Sequence, residues 1–275
     1  LAEQAQENSS LSAVVADVAA GVALALDGGR DSSALSGVLA QDDPLALAAI
    51  RVLGADVLAP YALRAGGGPG TTTDTGTDMD SGMAHRRTAR ASGVGAGPAA
   101  RGARADGEVV RKALAAYPPG ADASEVSLWS YRGLVEASRA YLPAGQGGPE
   151  SPAGAGDRAA GPAAVAGWLQ ADPWPQLAHR ASQLAALSLP GLAPALATGL
   201  AARTEDLSRG FVRAVRRRDW LQAAGIGRWL ARVPDVPDTL GLDTGLVYVL
   251  RMSGGDARVA LHTAIARRFH GRGAR

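Results

Sequence analysis

The stretch DLSRGFVRAVRRRDWLQAAGIGRWLARV, residues 206–233, decides how this chain is read. Placed on a helix at about 100° per residue, Leu207, Phe211, Ala214 and Val215 fall on one side. Arg209, Arg213, Arg216 and Arg217 fall on the other. A surface helix buries the first set and solvates the second. Arginines four apart repel by about 0.2–0.5 kcal/mol per pair, and Glu205, four residues before Arg209, offsets one of them. Asp219 then caps a second helix. Its Trp220, Ala223, Ala224, Ile226, Gly227, Trp229, Leu230, Ala231 and Val233 cover most of the circumference, leaving Arg228 and Arg232 as one narrow polar stripe. A helix that apolar packs on more than one side, and its indole N–H groups need acceptors. The expectation is a helical hairpin with arginines outward and tryptophans inward.

The same plan recurs on both sides. Leu11, Val15, Val18 and Val22, widened by Val14 and Leu26, form an apolar stripe ended by Asp27-Gly28-Gly29. Ser32 or Ser33 can cap a short helix. Asp43 with Pro44 begins DPLALAAIRVLGADVLAPYAL. GEVVRKALAAY ends at Pro118-Pro119, and Asp122 or Ser124 caps a helix with Leu128, Tyr131, Val135 and Leu142 inward. Helix-sized units follow at about 175–187 and 191–202, and Thr204, Asp219, Asp243 and Asp256 stand as caps before later ones. GLVYVLRM is the densest β-forming run, but a lone strand has no partner here, so it is read as helical.

Composition agrees. The chain is 47% hydrophobic but only 4% aromatic, so its core is built from Ala, Leu and Val, which suit close-packed helices. The expected fold class is all-α: an irregular helical bundle, or a short solenoid-like stack of helical hairpins, with long disordered loops. Hairpin centres near residues 190, 218 and 254 motivate the stack. Five segments are expected. Residues 1–64 are an N-terminal helical segment and 65–107 a disordered Gly/Thr/Arg-rich linker marking a boundary. Residues 108–143 are a helix pair, 144–162 a Gly/Pro-rich linker, and 163–275 a C-terminal helical-hairpin domain.

Charge is unevenly spread. Residues 1–64 carry three basic and eight acidic side chains, and residues 203–275 carry fourteen basic and seven acidic. Such a split lets an acidic end meet a basic end of the same chain, or a basic end meet a partner. Nearly all the basic residues are arginine, the one lysine being Lys112, which tracks with the Ala and Gly excess and weakens arginine abundance as evidence of function. The run LSAVVADVAAGVALAL, residues 11–26, has signal-core length, but Glu3 and Glu7 precede it and Asp17 interrupts it. It falls short of the ~20 apolar residues a span needs. The expectation is a soluble, cytoplasmic chain with no membrane span.

Several chemistries lack their residues. Without cysteine there is no disulfide, thiolate metal site or cysteine nucleophile. Lys112 sits in no phosphate-loop frame. His85, His179, His262 and His270 stand at no metal-ligand spacing, and single helical histidines are ordinarily structural. GVGAGPA and GIGRWL lack a dinucleotide-binding frame, and no GxSxG occurs. TDMDSG, residues 77–82, lacks the remaining ligands of a calcium loop. Asp43 is better explained as a helix cap than as half of an Asp42-Asp43 metal pair. No catalytic residue, metal ligand or cofactor is assigned.

What remains is the arginine face. Its plain reading is a solvated surface. Its sharper reading is an anion- or partner-binding site of Arg209, Arg213, Arg216 and Arg217, extended by Arg267, Arg268 and Arg272. Linker arginines 86, 87, 90, 101 and 104 either add phosphate contacts or keep a disordered segment solvated. The leading expectation is a non-catalytic helical interaction or scaffold protein with a protein partner. The alternatives are nucleic-acid or other polyanion binding through residues 209–217, and an all-helical enzyme using scattered carboxylates.

Overall fold

The computed structural model describes residues 2–28, 35, 43–65, 98–143, 162–233 and 235–273. Among them every regular element is helical and there is no strand. The elements are α1 (Ala2–Asp27), α2 (Pro44–Leu53), a 3-10 turn (Gly54–Leu58), α3 (Ala59–Ala65), α4 (Pro98–Ala116), α5 (Glu125–Tyr141) and α6 (Pro162–Ala171). There follow α7 (Trp174–Gln183), a 3-10 turn (Ala185–Ser188), α8 (Pro194–Ala201), α9 (Thr204–Arg216) and α10 (Trp220–Leu230). A 3-10 turn (Asp238–Leu240), α11 (Leu242–Met252) and α12 (Ala257–Gly273) complete the order. The all-α class is therefore shown, and GLVYVLRM lies within α11.

Local chemistry sets four of the helix starts through side-chain caps. The Leu45 N–H donates to Asp43 Oδ1 at 2.9 Å, with Pro44 in the first turn. Ser124 Oγ accepts from Ser127 N at 3.2 Å, and Asp219 Oδ1 from Gln222 N at 3.1 Å. Asp256 Oδ1 accepts from both Arg258 N and Val259 N. Two expected caps are corrected. Thr204 is the first residue of α9, and its hydroxyl donates back to the Ala201 carbonyl. Asp243 lies inside α11, whose cap position is Gly241 in a left-handed conformation. Ser32 and Ser33 lie outside the described residues.

Two apolar cores form. The first joins α1–α5 with Leu189 and Leu192, which precede α8, and with Leu261 and Ile265 of α12, and the second is built from α6–α12. Val15, Val18, Val22 and Leu26 of α1 are buried in the first, as the stripe required. On α5 the buried residues are Tyr131, Gly133, Leu134 and Ala137, while Val135 and Leu142 of the expected stripe pack partly buried against the same core. Helix α4 begins at Pro98, so residues 98–107 are helical rather than linker. Their inward positions are occupied by Ala103 and Asp106, which carry no visible hydrophobic period. Because α1–α3 and α4–α5 share one core, the stretch between them does not separate independently packed units. Most of that stretch, and residues 144–161, lie outside the described residues.

Helix α10 is the hub of the second core, packing against α7, α9, α11 and α12. Helix α1 packs along α12, so helices distant in sequence close on each other. An open solenoid, in which each unit meets only its neighbours, has no such contact. The two described segments Ala5–Asp27 and Pro44–Arg64, with mean hydropathy 1.8 and 1.5, are long and apolar enough to cross a membrane. This corrects the reading of the first apolar run as too short, since α1 extends it toward its N-terminus. Length and hydropathy do not separate a span from a core helix, and 67% of the second segment is buried.

Candidate functional site: an arginine groove and a buried arginine

The α9–α10 hairpin is built as its sequence required on the α9 side. Leu207, Phe211 and Ala214 are buried, while Arg209, Arg213, Arg216 and Arg217 are exposed. The turn is closed by Arg218 at φ +60°, with Arg218 N donating to Val215 O and Asp219 N to Ala214 O. A groove of about 760 Å³ runs along the exposed face, lined by all four arginines with Trp174, Ser208, Val212 and Leu240 and with Glu205. Val212 keeps 44% of its surface exposed, so the groove has an apolar strip between its cations. The Arg213 guanidinium lies 5.5 Å from the centroid of the Trp174 ring. Arg209 is partly neutralised, by Glu205 at 2.5 Å and Asp206 at 3.8 Å.

Arg267 and Arg268 do not join this groove. Arg268 reaches α1 instead, donating to the Leu26 carbonyl and lying 3.8 Å from Asp27. Arg101 and Arg104 are on α4, while Arg86, Arg87 and Arg90 lie outside the described residues. Nothing is described of the Arg272 side chain.

On α10 the outcome divides. Trp229 is buried, and its Nε1–H donates to the Ala181 carbonyl at 2.8 Å. Trp220 is only partly buried and meets the Tyr248 ring edge-on. Arg228, expected on a polar stripe, has no exposed surface. Its Nη1 lies 2.5 Å from Asp56 Oδ1, its Nε donates to Ser188 Oγ at 2.6 Å, and Nη1 is 3.2 Å from His262 Nδ1. Arg232, one turn on, donates to the Ser188 carbonyl at 2.6 Å and lies 5.8 Å from the Phe269 ring centroid. Burial lowers the Arg228 pKa, and Asp56 opposes that shift. A guanidinium can only donate, so His262 Nδ1 accepts and the neutral ring carries its proton on Nε2. Burial depresses the His262 pKa to about 4, Asp56 resists, and Arg228 and Arg258 push it further down.

Asp56 comes from the first core and Arg228 from the second, separated by 172 residues in sequence. One sequence signal marked this pair: Asp56 is a lone acid inside the apolar run GADVLAP. Over this network opens a cleft of about 200 Å³, with Asp56 and His262 among its lining, together with His179, Gln183, Asp219, Gln222 and Arg258. So the two helical histidines, unrelated in sequence, border one cavity. His85 lies outside the described residues, and nothing is described of the His270 side chain. Among the described residues no three His, Asp or Glu side chains come together as a metal site. No protein-family model matches the chain, and no curated protein or solved structure matches it either.

Proposed function

We propose that this is a non-catalytic helical interaction protein that holds an acidic segment of a partner protein in the α9 groove. What supports the reading is the groove itself: four exposed arginines flanking Val212, Leu240 and Trp174. Carboxylates of a partner meet the guanidiniums, which take them in bidentate fashion, while an apolar side chain covers the strip between. The regular helical packing and the use of Asp56 as a structural ion-pair partner fit a scaffold better than a catalyst. A nucleic acid is the weaker fit. Trp174 already carries Arg213 on its ring, and Glu205 stands on the groove wall.

The test is titration of the full chain with a Glu- and Leu-rich peptide and, separately, a single-stranded oligonucleotide. Peptide binding is expected to weaken as salt rises, and R213Q/R216Q to weaken it by about tenfold or more. Equal peptide affinity for wild type and double variant rejects the groove. Tighter, more steeply salt-dependent binding of the oligonucleotide hands the same surface to a polyanion.

A further inference from the structure

The cleft above the buried arginine is a different place from the groove, and its polar walls come from elements far apart in the chain. Asp56 lies on the 3-10 turn after α2, Ser130 on α5, His179 and Gln183 on α7, Gln222 on α10, and Arg258 and His262 on α12. These side chains are mostly hydrogen-bonding ones, unusual where two cores meet. Both carboxylates bordering the cleft are already engaged. Asp56 holds Arg228, and Asp219 Oδ1 caps α10 through Gln222 N–H. Arg258 is not engaged. Among the described residues its guanidinium has no ion pair, and its Nε is buried without a hydrogen-bond partner. A buried donor without an acceptor costs about 1–3 kcal/mol, more when charged, so it marks a position where an acceptor belongs. His262 stands one turn along the same helix, with Nδ1 taken by Arg228 and Nε2–H left as a donor.

We propose that this cleft is a binding site for a small oxyanion, a carboxylate or phosphate group, held by Arg258 with His262 and the side-chain amides of Gln183 and Gln222. The size sets the class. At about 200 Å³ the cleft is smaller than the roughly 300–1,000 Å³ pockets that take drug-sized ligands, and it suits a single anionic group on a small molecule. The site rests on Arg258 and not on the α9 arginines, so it stands or falls separately from the peptide groove.

The experiment is NMR titration of the full chain with inorganic phosphate in one arm and succinate in the other, following the His262 ring resonances and the Arg258 side chain. Saturable shifts of both groups are expected in at least one arm, and the arm with the tighter binding names the source of the anion. Arg258 is only partly buried, so R258Q is expected to stay folded, with an unchanged far-ultraviolet spectrum, and to weaken binding by about tenfold or more. R213Q serves as the control and leaves cleft binding unchanged. Absence of saturable shifts in both arms overturns the proposal. So does equal binding by R258Q, or loss of binding in R213Q, which assigns the anion to the groove. Should R258Q unfold, R258K decides instead. It keeps the charge but not the Nε–H, and undiminished binding there also overturns the role given to that donor.

Discussion

Arg228 has no exposed surface, and its charge is tolerated because Asp56, Ser188 and His262 surround it. Buried pairs of this kind do not in themselves show a net gain, but removing one partner leaves the other charge stranded. R228Q is therefore expected to destabilise the fold by about 3–5 kcal/mol in urea denaturation, while R228M/D56L, which removes both charges, costs much less. His262 carries its own pH signature. Its folded pKa of about 4 lies below the ordinary 6.5, so the unfolded chain binds the proton more tightly. The stability that the neutral His262 contributes is expected to be full above about pH 6.5 and to be lost as pH falls toward 4, by about 3 kcal/mol in all. H262N retains an acceptor for Arg228 but cannot protonate, and its denaturation midpoint is expected to vary less with pH over that window. An identical acid slope in wild type and H262N would assign the loss to other groups. Only half of this pair was legible in the sequence, in Asp56 as a lone acid within an apolar run. Arg228 and Arg232 share a helical spacing with surface arginines, and periodicity records which residues share a face, not what the fold brings against it.

At the scale of the element, the α9–α10 hairpin was readable because its signal is local. The apolar positions of α9, the Asp219 cap and the buried Trp229 all follow from residues within a few turns of each other. The glycines were less readable. GIGRWL reads as a failed nucleotide motif, yet its glycines serve contact. A Cβ on Gly225 would lie 2.9 Å from the backbone oxygen of Ser182, and one on Gly210 would lie 2.4 Å from the Ala178 Cβ. Helix α7 thus runs close enough to both α9 and α10 that only hydrogen fits between. G210A is expected to cost about 1–3 kcal/mol through forced separation of α7 and α9, measurable as a lowered urea midpoint with unchanged helical content. The start of α4 was misread for a related reason. Its inward residues are Ala103 and the buried Asp106, whose Oδ2 accepts from the Tyr61 hydroxyl at 2.6 Å. A polar residue facing inward breaks a hydrophobic pattern even where it completes a packed one.

For the whole molecule, the acidic N-terminal part does meet the basic C-terminal part, at Asp56–Arg228 inside and Asp27–Arg268 at the rim. The α9 arginines are not consumed in this closure and stay exposed. The two apolar cores are tied through α12, which contributes residues to both. Heat unfolding is therefore expected as one calorimetric transition, with calorimetric and van't Hoff enthalpies equal. In R228Q the link between cores is weakened, and the transition broadens or splits. Two transitions already present in the wild type would show that the cores are independent.

The stacking of Arg213 on Trp174 has a practical consequence. A cation held against an indole alters the emission of that ring, and anything drawing the guanidinium away restores it. The groove thus carries an indole on its own wall, and an emission change on peptide addition that W174F abolishes is expected to report occupancy without a dye or an added label.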